Sequence, residues 1–148
     1  MSADLWTFAT TLYARPGVEA ACLELQAAGA DVCLVLCGLW LDSRGVAQSD
    51  EREAQLRALA TTWQHGVVAP MRALRQVWRD AAADDAELAD LRQRLKQLEL
   101  DAERTQLERL QGLSSAWPAD GPARWTWLDA LAVAGGARER LRSAADAG

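Results

Sequence analysis

Asp31-Val32-Cys33-Leu34-Val35-Leu36-Cys37-Gly38-Leu39-Trp40-Leu41 places ten unbroken apolar positions, counting Gly38, behind one acid. A run this apolar is compatible with a buried strand, and Val32–Val35 lean that way. Its length, its leucines and its flanks favour a helix, with Asp31 as N-cap and Gly45 as the stop. Such a helix has no polar face, so it belongs at the centre of a helical domain, over about 31–44. Ten residues are half of the ~20 that span a bilayer, and no membrane span is expected.

The composition around this run agrees. Of 148 residues, 30 are alanine and 22 leucine, against eight valines and no isoleucine. That alphabet favours helices and is poor in what strands prefer, which excludes a β-sandwich or barrel. Half the chain is apolar at a net charge of −5, too much for intrinsic disorder. Fifteen of the sixteen basic residues are arginine and asparagine is absent, the mark of a GC-rich bacterial genome rather than of nucleic-acid binding. None of residues 1–50, 51–112 and 113–148 is net basic, and no nucleic-acid partner is expected. Met1–Asp4 lacks a basic stretch, and three cysteines are an odd number, so a cytoplasmic protein is expected.

The reading outward is all-α: an irregular or orthogonal bundle of six or seven helices in one domain, 1–148. Asp4 caps a first helix to about Arg15, with Trp6 and Tyr13 on one stripe. Pro16-Gly17 opens a second, closed by Gly29. Ser49 or Asp50 caps a fourth, through Trp63. His65-Gly66 marks a break or bend, and a fifth begins near Val68 with Met71, Leu74, Val77 and Trp78 as its apolar face. Residues 85–112 form one long amphipathic helix. Its Leu88, Leu91, Leu95, Leu98 and Ala102 step by 3, 4, 3 and 4, with Leu107 and Leu110 slightly out of phase. A turn-rich connector, 113–122, precedes a last substantial helix, Ala123–Ala134, with Trp125 and Trp127, stopped by Gly135-Gly136. Ala137–Ala145 reads as a polar, fraying end.

Most catalytic constellations fail on inventory. One histidine excludes a two-histidine metal site, and no phosphate-cradling glycine motif occurs. Cys22, Cys33, Cys37 and His65 match no zinc module, and the cysteines read as small buried hydrophobes; no metal or cofactor is expected. Asp84-Asp85-Ala86-Glu87-Leu88-Ala89-Asp90 resembles a magnesium-binding aspartate cluster in composition, but it opens a helix, where acids favour the dipole. Seven tryptophans are the oddity. Trp6, Trp40, Trp63 and Trp78 fall on four helices and either fill gaps between alanine-rich helices or line a groove. Arg72, Arg75 and Arg79, beside Trp78 and His65, either bind an anion or pair with acids such as Glu19, Glu24 or Asp42.

Two segments carry a resemblance. The first is Leu5-Trp6-x-Phe8-Ala9, Tyr13-x-x-Pro16-Gly17-Val18-Glu19, Ala21-Cys22-Leu23-x-Leu25-Gln26, Asp31-Val32 and Leu39-Trp40-Leu41. The second is Trp63-x-x-x-Val67-Val68-x-Pro70-x-Arg72-x-x-Arg75. The chain resembles a family of small proteobacterial proteins that form a domain of unknown function. The resemblance implies a stand-alone cytoplasmic module and supplies no activity. Those relatives tend to carry asparagine where this chain has Cys33, which discounts a catalytic or metal role there.

The function expected from these readings is a non-enzymatic protein–protein interaction module. Its contact is expected around Leu100, Leu107 and Leu110, most simply with a second copy. The alternative is a pocket for a small apolar or amphipathic ligand, drawn from Trp6, Tyr13, Trp40, Trp63, His65 and Trp78, with Arg72 and Arg75 holding an anionic group. A third reading is an enzyme with His65 as a lone general base. No catalytic residue is otherwise assigned.

Overall fold

The computed structural model describes residues 4–121, 126–132 and 135–146, and among these the chain is an all-α bundle. In chain order come α1 (Leu5–Tyr13), α2 (Val18–Ala27), α3 (Val32–Ser43) and α4 (Asp50–Trp63). A π-helical turn (Gln64–Val68) leads into α5 (Ala69–Val77), then α6 (Arg79–Ala82) and α7 (Ala86–Ser114). The remainder holds α8 (Thr126–Leu131) and α9 (Gly135–Asp146).

The decisive run is a helix. Every residue of α3 from Cys33 to Asp42 is buried, and the Asp31 carboxylate accepts from the Leu34 amide at 3.3 Å, capping it. The same chemistry starts α1, α4 and α7, where Asp4, Ser49 and Asp85 accept from the Thr7, Arg52 and Leu88 amides. Gly29 and Gly45, with φ of 93° and 70°, end α2 and α3 in the left-handed conformation that glycine adopts without steric cost.

The expected break or bend at His65-Gly66 is a π-helical turn inside one continuous helical stretch. Trp63, Gln64, Val68 and Ala69 keep right-handed helical angles, and the Ala69 amide donates five residues back to Gln64. Pro70 has no N–H to give Gly66, and its ring would press on that carbonyl in a regular α-helix. A π turn widens the backbone there without ending the helix.

α5 and α6 return along α7 as an antiparallel arm. Trp63 Nε1 donates to the Ala102 carbonyl at 2.8 Å, and Arg92 Nε to the Arg75 carbonyl at 2.9 Å. No residue of α5 or α6 is buried, and none of α7 before Glu99. The expected apolar face of α5 is therefore corrected: Leu74 and Val77 are exposed, and Arg72 and Arg75 turn toward α7 instead. Of the leucine seam, Leu88 and Leu95 are half-buried and Ala102 is buried, whereas Leu91 and Leu98 are exposed.

The C-terminal helices also differ from expectation. Gly135 opens α9 rather than stopping a helix, and Ala137 and Leu141 are buried, so α9 is packed, not frayed. It lies on α2, tied by Arg140 to Glu24 and by Arg15 to the Ala144 carbonyl. α8 lies on α3, where a Cβ on Gly38 would meet Leu131 Cδ1 at 2.7 Å. Asp42 of α3 accepts from the Trp127 and Leu128 amides at 3.0 and 3.1 Å, and so caps α8 from the neighbouring helix. Residues 122–125 and 133–134, including Trp125, lie outside the described residues.

Candidate functional site

A cavity of about 390 Å³ opens between α1, α2, α3 and α7. Helical spacing builds each wall. Trp6, Thr10 and Tyr13 of α1 fall at i, i+4 and i+7, as Leu100, Glu103 and Leu107 of α7 fall at i, i+3 and i+7. Leu23 and Gln26 come from α2, and Asp31, Val32, Cys33 and Leu36 from the start of α3. The buried Leu36, Cys33 and Leu107 line the interior, while Tyr13, Leu23 and Leu100 are substantially exposed on the cavity wall. Most of the lining is apolar, the usual character of a small-molecule site of this size.

Six polar side chains interrupt it: Thr10, Gln26, Asp31, Gln64, Arg72 and Glu103. Arg72 is shared between two carboxylates, Nε to Glu99 at 3.2 Å and Nη2 to Glu103 at 3.5 Å. Arg75 Nε meets Glu99 at 2.7 Å and its Nη2 reaches the other oxygen at 3.4 Å, a two-point grip. Burial pushes the Glu99 carboxyl up, but hydrogen bonds from Arg75 and Arg72 outweigh it and hold the group below its ordinary range. Glu103 goes the other way: burial raises it, and the pull of Arg72 does not fully compensate. Asp31 is likewise raised by burial, although Gln106 Nε2 donates to it at 2.8 Å.

The thiols are inert. Burial drives Cys22 up to about 11, Cys37 to about 12 and Cys33 well above its ordinary value, so all three stay protonated at neutral pH and are poor nucleophiles. Among the described residues, no group of three or more His, Cys, Asp or Glu is disposed to hold a metal ion.

Three of the eight expected binding residues meet at the cavity: Trp6, Tyr13 and Arg72. The other five are elsewhere. Trp40 is buried in α3 with the Arg44 guanidinium 4.4 Å over its ring, and Trp63 lies under Arg109 at 4.3 Å. His65 is exposed on the π turn, Arg75 is held by Glu99, and Trp78 is half-buried between α5 and α6. Of the three expected interface leucines, burial removes Leu107 and Leu110 from the surface and leaves Leu100 exposed. Leu110 is fully buried in the chain's own core, Leu107 is 4% exposed within the cavity, and Leu100 is on the cavity wall. Arg72 and Arg75 of the arginine stripe do pair with acids, but not with Glu19, Glu24 or Asp42: their partners are Glu99 and Glu103. The sequence marks Asp31 only as a cap and gives Glu99, Glu103, Leu23, Leu36 and Gln64 no local signature of a site. The i, i+3, i+7 stripe of Leu100, Glu103 and Leu107 was the available clue.

No helix among the described residues is long and apolar enough to cross a membrane. A family model described as a protein of unknown function, DUF2390, matches residues 4–110, and the chain belongs to that family. No curated protein and no solved structure matches it.

Proposed function

We propose that this member of a family of unknown function binds a small, largely apolar ligand in the cavity between α1, α2, α3 and α7. The observation that carries the reading is the cavity itself: about 390 Å³, apolar in most of its lining, with Tyr13, Leu23 and Leu100 partly exposed to solvent. A chain that buries Leu107, Leu110 and Trp40 leaves those three large side chains half in water, and a ligand would cover them. An anionic group held by Arg72 and Arg75 is not part of this proposal, because Glu99 and Glu103 already neutralise both. The test is fluorescence of the uncharged dye N-phenyl-1-naphthylamine. Wild type is expected to give a saturable rise, and Thr10→Trp, which fills the cavity from an exposed position, to abolish it with helical circular dichroism intact. A linear, unsaturated response in wild type, or an undiminished one in the variant, contradicts the proposal.

A second reading keeps protein contact and moves it to the arm. Leu74, Val77, Leu91 and Leu98 are exposed on a stretch that buries nothing before Glu99. Residues 80–91 hold five acids and no base, whereas 92–96 hold Arg92, Arg94 and Lys96 and no acid. Two copies laid antiparallel through Leu91 would set each acidic tip on the other's basic shaft. Light scattering tests it: a wild-type mass that falls by half in Leu91→Glu/Leu98→Glu supports the reading, and a monomeric wild type at high concentration excludes it.

A further inference from the structure

The charge at the cavity's polar end points to a class of ligand, and this step rests on the pocket reading. Three charged side chains line the cavity: Asp31, Glu103 and Arg72. Arg72 is the one cation among them, against the two carboxylates of Asp31 and Glu103, so the lining is one positive charge short. Adding the adjoining Glu99 and Arg75 changes nothing, since each cancels the other. The neighbours report the same field. Besides burial, Glu103 opposes ionisation of the Tyr13 phenol, and Asp31 and Glu103, against the pull of Arg72, oppose that of the Cys33 thiol. The nearby Arg104 is not aimed at these acids: its guanidinium lies 4.6 Å over the Trp6 ring and its Nε meets Glu108 at 3.4 Å. Against a mostly apolar lining such an imbalance is less screened than in open water and favours a cation in whatever enters.

We propose that the ligand is an organic ammonium, an apolar body carrying one protonated amine that sits against Glu103 and Asp31. The apolar body covers Tyr13, Leu23 and Leu100, and the ammonium supplies the cation that Arg72 only partly provides. A carboxylate or phosphate head would meet two acids and an arginine whose hydrogen bonds are already made.

Three probes of equal chain length, differing only in head-group charge, test this at neutral pH: octylammonium, 1-octanol and octanoate, each titrated calorimetrically into the full chain. The expected order is octylammonium, then octanol, then octanoate, with about tenfold between the first and last. Glu103→Gln is expected to narrow that gap, and Arg72→Gln to widen it. The two variants move the preference in opposite directions, which a general loss of packing would not. Octanoate binding as tightly as octylammonium overturns the proposal and returns the head group to Arg72. Equal binding of all three, or a preference untouched by Glu103→Gln, overturns it while leaving the pocket standing. If none of the three binds, the pocket reading fails and this inference with it.

Discussion

Asp31 shows how closely support and site are joined at the residue scale. One oxygen caps α3 through the Leu34 amide, the other accepts from the fully buried Gln106, and the same side chain lines the cavity. Asp31→Ala removes a cap and strands a buried amide, and is expected to cost about 2 kcal/mol by urea denaturation. An unchanged midpoint would mean that α3 is held by packing alone. Asp42 makes a prediction in pH. Burial lifts its carboxyl from an ordinary 3.8 to about 6, against the pull of the Trp127 and Leu128 amides. The folded state then holds the proton more tightly than the unfolded chain, so this group's contribution falls as pH rises from about 4 to about 6, by 3 kcal/mol at most. Urea midpoints of Asp42→Asn should lack that decline, and a matching decline in the variant would assign it to another group. Legibility differs between the two roles of Asp31. The cap could be read from one acid before an apolar run. The cavity role could not, because it depends on α1, α2 and α7 arriving from distant sequence.

Elements were legible wherever a local rule fixed them, and misread wherever the partner decided. Caps marked the starts of α1, α3 and α4, and glycines the stops of α2 and α3, because that chemistry is complete within a few residues. The phase of α7 was not. Its inward line is Leu88, Arg92, Leu95, Glu99, Ala102, Gln106 and Leu110, a 3.6-residue progression that includes charged side chains. A leucine-by-leucine reading picked Leu91 and Leu98 instead, since nothing local shows that Arg72 and Arg75 sit opposite Glu99. The difference is testable. Leu110→Glu should unfold the chain, and Leu98→Glu should leave its circular dichroism and melting temperature within a few degrees of wild type. Similar losses in both would restore the leucine seam. Gly38 makes the counterpart prediction for the α3–α8 contact. Alanine is the better helix former by about 1 kcal/mol, yet its Cβ would press on Leu131 Cδ1 at 2.7 Å and Trp127 Cβ at 3.2 Å. Gly38→Ala is therefore expected to destabilise, by about 1–3 kcal/mol. A stabilised variant would show that α8 does not lie where these distances put it.

On the scale of the whole molecule, the chain divides its apolar surface between a core around α3 and a cavity walled by α1, α2 and α7, and leaves α5, α6 and the part of α7 before Glu99 without buried residues. The tryptophans follow that division: Trp127 and Trp40 serve the core, Trp63 ties α4 to α7, and Trp6 faces the cavity. Composition announced seven tryptophans but not this assignment, which no helix determines alone. It also supplies the most direct test of ligand binding. In a ¹H–¹⁵N spectrum each indole N–H gives its own resonance, so titration with 1-octanol reads the tryptophans separately. A ligand in the cavity is expected to give a saturable shift of the Trp6 indole while those of Trp40, Trp63 and Trp127 stay in place. No shift at Trp6, or equal shifts at all four, would contradict it.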